Sequence, residues 1–227
     1  MLTVLIPCYN EKNTIKIIVD RILNLKNLDK EIIIIDDNSE DGTKDILKNT
    51  IENKVSKIIY NEKNYGKGFC LKKGIEASTG EIILVQDADL EYDPKEYEKL
   101  INPIKNGHAD VVYGSRFIGG EEKRILFFWH TIANKLLTLL SNMFTNLNLT
   151  DMETCYKVFK SDLIKKVDLQ EKGFGFDPEV TAKISKLKPR IYEVGISYFG
   201  RTYEQGKKIG LKDAFIVLKC IIKYNLF

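Results

Sequence analysis

The chain has 227 residues, 44% of them hydrophobic and 30% charged, an ordinary soluble globular composition with room for one large core. Its formal net charge of +3 is too small to point to nucleic acid, so none is expected as a partner. Cys8, Cys70, Cys155 and Cys220 form no CxxC and have no His at metal-site spacing, so reduced, mostly buried thiols in a cytoplasmic protein are expected.

In chain order, Leu2–Ile6 reads as a strand, and no signal peptide is expected ahead of it. Thr14–Leu25 has helical spacing, Glu31–Ile35 is a strongly apolar strand, and Asp41–Asn49 is a short helix. Val55–Tyr60 is a strand, Lys67–Ala77 a helix and Glu81–Val85 a strand. Pro94–Lys105 is a helix opened by proline, and Asp110–Tyr113 is the next strand. Continuous apolar strands separated by helices imply an α/β fold, a mainly parallel sheet covered on both faces. Such sheets bind ligands at the carboxyl ends of their strands, and the polar clusters fall there.

The segment after Gly119-Gly120 is different in character. Ile125–Phe144 is dense in Leu, Phe and Trp, yet Thr131, Asn134, Lys135, Thr138, Ser141 and Asn142 recur at helical spacing as a wet stripe. The stripe argues against a membrane span. It leaves two readings, an interfacial helix at a bilayer or a helix packed on the sheet or on a second subunit of a homo-oligomer. Ala214–Ile222 is a second apolar helix, and Lys219, Lys223 and Tyr224 near its end suit an anionic membrane surface or a solvated helix end.

The densest chemistry is Val85-Gln86-Asp87-Ala88-Asp89-Leu90-Glu91, which puts three acids at alternate positions beyond a buried strand. Ionised carboxylates cost several kcal/mol each in such a place unless a metal ion, a cation cluster or solvent compensates them. On an extended segment Asp87, Asp89 and Glu91 share one side, and such oxygens suit Mg²⁺ or Mn²⁺ holding a diphosphate. Asp36-Asp37-Asn38-Ser39 follows the second strand, where an acid can bind a ribose or a base. The first strand ends in Pro7-Cys8-Tyr9-Asn10-Glu11 rather than GxGxxG, and GxxxxGK[ST] is absent. Both facts argue against nicotinamide oxidoreductases and P-loop enzymes.

Ile6-Pro7-Cys8-Tyr9-Asn10-Glu11, Asp36-Asp37-Asn38-Ser39, Asn64-Tyr65-Gly66-Lys67-Gly68, Asp87-Ala88-Asp89 and Gly114-Ser115-Arg116 occur together. This set resembles family 2 of the GT-A glycosyltransferases, in particular its dolichol-phosphate mannose synthase-like branch, from Met1 to about Ile209. The resemblance implies a Rossmann-like, mainly parallel mixed sheet sandwiched by helices, with amphipathic helices at the C-terminal end. It implies one domain over residues 1–227, with a nucleotide-sugar half (1–118) and an acceptor and membrane-facing half (119–227). The implied reaction is an inverting, metal-dependent transfer from a nucleoside-diphosphate sugar, such as GDP-mannose or a UDP-hexose. Polyprenyl phosphate at the cytoplasmic face of a membrane is the expected acceptor.

By the same resemblance, Pro7, Tyr9 and Glu11 hold the nucleotide, with Ile35 and Asp37 at the base. Asp87, Ala88 and Asp89 contact the donor, with Asp89 and Glu91 facing the metal. Arg116 engages a phosphate or the donor sugar, and Arg201 and Lys207 close a late loop over the phosphates, where cations stabilise a leaving group. Asp151-Met152-Glu153-Thr154-Cys155-Tyr156-Lys157 departs from the family's Asp-x-x-x-Gly-Phe-Arg-like segment, which leaves the acceptor side open. Asp151, Asp177 and Glu179 are the candidates there, and Asp177 or Glu179 is a candidate base. Three other readings stay in play: a sugar-to-sugar transferase, a non-catalytic nucleotide-sugar-binding protein, and a nucleotidyltransferase. The last should carry a glycine- and arginine-rich loop after its first strand, which Tyr9-Asn10-Glu11 is not.

Overall fold

The computed structural model describes residues 1–125, 127–206 and 210–226. Its first half contains β1 (Leu2–Cys8), α1 (Ile15–Leu23), β2 (Lys30–Asp36), α2 (Thr43–Ile46) and β3 (Lys57–Tyr60). It continues with α3 (Lys67–Ala77), β4 (Ile82–Val85), α4 (Tyr97–Lys105) and β5 (Val111–Ser115). These are the expected elements with shifted ends. Beyond them lie α5 (Phe128–Thr145), β6 (Lys157–Lys160), α6 (Ser161–Ile164), α7 (Phe176–Lys186), β7 (Ile191–Gly195) and α8 (Leu211–Leu226). Strands β6 and β7 were not read from the sequence. Each has four or five residues, and charged or half-exposed positions blur any period-2 signal.

The seven strands form one sheet in the order β3-β2-β1-β4-β6-β5-β7. All pairs are parallel except those of β6, which runs antiparallel to both β4 and β5. Strands β1 and β2 are buried almost throughout because helices cover both faces, which is why they read as unbroken apolar runs. Helix α1 buries Ile15, Ile18, Val19 and Ile22, one face at helical spacing. The chain leaves β1 for β2 on one side, and β4 lies on the other. This reversal opens a crevice at the carboxyl ends of the strands. Because β6 runs backwards, its first residues also reach that rim.

Helix α5 corrects the expected orientation of the polar stripe. Its buried residues are Thr138 and Ser141, while Trp129 (76% exposed) and Met143 (71%) face outward with Leu136 and Leu139. Part of the stripe is turned inward, where Thr138 and Asn142 meet the backbone of the 149–152 segment, while Lys135 stays exposed. Met152 N donates to Thr138 Oγ1 at 3.2 Å, and Asn142 both donates to Leu149 O and accepts from Leu149 N. Helix α8 packs on α5 and α7 through Val217, Cys220, Ile221 and Tyr224, leaving Phe215, Ile216, Ile222 and Leu226 outside. Among the described residues no helix is long and apolar enough to cross a membrane. All four cysteines are buried, as expected, and none forms a disulfide among the described residues.

The start of α3 is tied to the 171–173 segment, which carries part of the crevice wall. Phe69 N donates to Lys172 O at 3.0 Å, and a Cβ on Gly68 would lie 2.2 Å from the Glu171 carbonyl oxygen. Neither backbone can yield cheaply, so Gly68→Ala is expected to destabilise the protein by about 1–3 kcal/mol, the usual cost of overpacking. Urea denaturation measures this directly. An unchanged midpoint would show that the two segments are not in contact.

Candidate functional site

The crevice is a cavity of about 410 Å³. Of the residues expected at the site, Pro7, Tyr9, Glu11, Asp37, Asp87, Ala88, Asp89, Glu91, Arg116, Asp177 and Arg201 all line it. All but Asp177, which is in the first turn of α7, stand at the end of a strand or on the loop that follows, so sheet topology brings together residues up to 194 positions apart, from Pro7 to Arg201. Lys207 lies outside the described residues.

At the β1/β2 side, Asp37 is nearly buried and accepts from Asn61 Nδ2 (2.8 Å), Tyr65 N (3.0 Å) and Gly66 N (2.6 Å). This carboxylate therefore shapes the loop before α3 as well as the cavity wall. Ile35 corrects the expectation of a base contact. Its side chain points into the core against Gly74, where a Cβ would come within 3.0 Å of Ile35 Cδ1.

The acids beyond β4 do not stay on one side, because the chain bends once it leaves the sheet. Asp89 Oδ1 accepts from Glu91 N at 3.0 Å, the short-range bond that makes the turn. Asp87 faces Lys67 at 2.7 Å, whereas Asp89 and Glu91 share the Arg201 guanidinium at 2.9 and 3.4 Å. Glu11 joins the same guanidinium at 3.4 Å, and Glu91 also accepts from Arg201 N and Tyr198 Oη. A cation cluster is thus the compensator in this state. The balance differs along the row. Burial raises the Asp87 pKa, but the adjacent Lys67 ammonium, joined by Cys155 and Lys157, holds that carboxyl below its ordinary value. Burial, with Asp87 and Glu91 close by, pushes Asp89 up to about 7 despite Arg201.

Among the described residues no three carboxylate, imidazole or thiol side chains converge as a metal-ligand set. The expected trio thus reduces to a pair, since Lys67 draws Asp87 aside. Asp89 and Glu91, which converge on one cation, fit a divalent ion whose remaining positions come from a diphosphate and water. The excess of negative charge that raises Asp89 is the kind that such an ion removes.

On the β5/β6 side, Arg116 makes two 2.7 Å bonds to the fully buried Asp151, and its backbone N–H adds a third at 3.0 Å. Asp151 is not among the residues lining the cavity and is the anchor that aims Arg116, packed over the Tyr198 ring. Glu179 is corrected too. It is buried, accepts from the backbone N–H groups of Gln170 and Glu171 at 2.8 Å each, and pairs with Lys183 at 2.6 Å. Both oxygens are engaged in holding the 170–171 turn. Asp177 does reach the cavity, paired with a completely buried Lys157, whose ammonium also donates to Thr154 O.

Three residues with no assigned role prove central. Lys67 neutralises Asp87, Lys157 neutralises Asp177, and Glu153 lines the cavity beside Cys155 with Oε1 shut off from solvent and without a hydrogen-bond partner among the described residues. Burial, then the nearby Asp177, pushes the Glu153 carboxyl up to about 8 against the weaker opposing pull of Lys157 and Arg116. Lys67 and Lys157 sit inside the quoted motifs, but nothing in a linear pattern says which acid each meets.

The sheet order, the single reversed strand and the acidic rim define the fold of the GT-A glycosyltransferases. Glucosyl-3-phosphoglycerate synthase from Mycobacterium tuberculosis, solved with Mn²⁺, UDP and glucosyl-3-phosphoglycerate, superposes with a TM-score of 0.77 at 18% identity over 100% of this chain and 80% of that one. The family model for glycosyl transferase family 2 matches residues 3–168, and the chain belongs to that family. Dolichol-phosphate mannosyltransferase of Pyrococcus furiosus is 28% identical over 212 residues, 91% of this chain but only 60% of that protein. Undecaprenyl-phosphate mannosyltransferase of Micrococcus luteus is 27% identical over 91% of this chain and 86% of its own length.

The raised Glu153 pKa has a consequence for stability. Between an unfolded value near 4.5 and a folded value of about 8, the native protein binds the extra proton. Stability therefore falls as pH rises through that window, and the penalty is complete above it. Glu153→Gln removes the penalty. The variant should melt a few degrees above the parent at pH 9, at roughly 2–4 °C per kcal/mol, and the gap should shrink towards pH 5. A gap independent of pH in calorimetric scans would contradict the assignment.

Proposed function

We propose that the protein is a metal-dependent hexosyltransferase that moves a sugar from a nucleoside-diphosphate sugar to a polyprenyl phosphate at a membrane surface. The observation that carries this reading is the continuity of the cavity. Its wall runs from Asp37 and Tyr9 through the acidic row and Arg116 to Trp129, Leu137, Ala214 and Val217 of α5 and α8. Those two helices turn their apolar sides outward at the same end. One volume thus offers polar groups for a nucleotide, cations for phosphates and an apolar approach for a lipid. The names of the two mannosyltransferase relatives, which carry polyprenyl-phosphate acceptors, support the same acceptor class.

In this reading Tyr9, Glu11 and Asp37 hold the nucleoside end. Asp89 and Glu91 hold Mg²⁺ or Mn²⁺, which when bound neutralises charge on the departing diphosphate. Arg201, which shares its guanidinium among Glu11, Asp89 and Glu91, and Arg116, aimed by Asp151, are the cations that would face the diphosphate and an acceptor phosphate. A lipid phosphate is already ionised at neutral pH and needs positioning rather than a base. Asp177 is held by Lys157 and is not required to take a proton.

The test is transfer of label from GDP-mannose or UDP-glucose to a short polyprenyl phosphate, with Mn²⁺ or Mg²⁺ and with chelator. Metal-dependent label in the lipid product is expected, and Asp89→Asn should lower kcat by about 10²-fold or more. Label appearing only on a glycan, with activity lost in Asp177→Asn, would replace the lipid acceptor. Nucleotide binding with neither transfer would leave a binding protein.

Membrane docking has its own readout. Sedimentation with anionic vesicles should weaken about 10- to 100-fold in Trp129→Glu or Phe215→Glu, the range for withdrawing one large apolar side chain from an apolar phase. Vesicle binding unaffected by both changes would assign the exposed faces of α5 and α8 to something else.

A further inference from the structure

The groups on the β5/β6 side of the cavity form an unbalanced set. Two cations face three acids: Arg116 is spent on Asp151, and Lys157 on Asp177. Glu153, just upstream of β6, is the odd member. Its Oε1 has no hydrogen-bond partner, and the carboxyl lies on the cavity wall. A buried polar oxygen left unmatched costs about 1–3 kcal/mol, so it calls for a ligand or a reason. Neither cation hydrogen-bonds it: Arg116 is turned to Asp151, and Lys157 to Asp177 and Thr154 O.

Position says which ligand group would supply it. Across the rim the order is Asp37 after β2, Glu11 after β1, Asp89 after β4, then Glu153 ahead of β6 and Arg116 after β5. A nucleoside at the β1/β2 side with its diphosphate at Asp89 puts the transferred sugar against the β6 side. Resting on the glycosyltransferase reading above, we propose that Glu153 is a specificity-determining residue that hydrogen-bonds a ring hydroxyl of the transferred sugar. A carboxyl held in its protonated form both donates and accepts, which matches a hydroxyl that does the same. The pressure toward that form comes from burial and from Asp177, against Lys157 and Arg116.

The experiment compares dissociation constants of GDP with GDP-mannose, and of UDP with UDP-glucose, in Mn²⁺ for the parent, Glu153→Ala and Glu153→Gln. The expected result is that Glu153→Ala binds the sugar nucleotide about tenfold more weakly, while the bare diphosphate changes by less than about twofold. Glu153→Gln, which keeps a donor and an acceptor, should restore most of the loss. An equal loss for diphosphate and sugar nucleotide, or no loss for either, would overturn the role of Glu153 while leaving the nucleotide site standing. Should Glu153→Ala fail to fold, an unchanged preference in a Glu153→Thr variant would overturn it too, because a shorter hydroxyl cannot take the same place. If the parent protein binds neither diphosphate, both the inference and the reading beneath it fall.

Discussion

The structure depends on compensating carboxylates gathered where burial makes charge expensive. Six acids at or beside the cavity are paired with four cations: Asp87 with Lys67, Glu11, Asp89 and Glu91 with Arg201, Asp151 with Arg116, and Asp177 with Lys157. Removing one member of such a pair strands its partner in low dielectric, which costs more than the pair contributes. The pairs therefore fix the positions of the loops that carry them. The 89–91 turn is held to the 198–201 segment, the 151 segment to β5, and the start of α7 to β6.

The pairs differ in kind, and the difference separates framework from chemistry. Arg116–Asp151 is bidentate and its acid is completely buried, so it aims a guanidinium and does not readily let go. Arg201 divides itself among Glu11, Asp89 and Glu91 at longer distances, and Asp89 remains only half compensated, with its pKa near neutrality. A shared arrangement of that sort is one that a divalent ion and a diphosphate could replace. The site is built so that one side is locked and the other is exchangeable.

Helices α5 and α8 apply the same logic to apolar groups. Thr138 and Asn142 are drawn inward to satisfy the backbone of the 149–152 segment, and Trp129, Leu136, Leu139 and Met143 are left facing out. An amphipathic helix whose polar side is consumed by its own protein has only its apolar side left to offer a partner. That inversion links the loop anchoring Arg116 to the surface beside the cavity mouth.

The sequence by itself determined the framework of the first half. Four isoleucines before Asp36, the run into Pro7 and the strand before Asp87 announce parallel strands, because burial on both faces erases polar alternation. It also picked out many of the residues that line the cavity, since polar residues at strand ends in such a sheet have few other places to be. The tertiary structure alone decided the rest. Alternation placed Asp87, Asp89 and Glu91 together, but the chain bends after Val85 and a lysine 20 residues earlier captures the first of them. Ile35 and Glu179 looked like site residues by position, yet one fills the gap over Gly74 and the other caps a turn. Which face of α5 is wet, and that Glu153 stands unpaired among five charged groups, follow from contacts between residues distant in the chain. Local periodicity reports burial. The pairing of charges depends on which loops meet at the rim, and that is fixed by strand order.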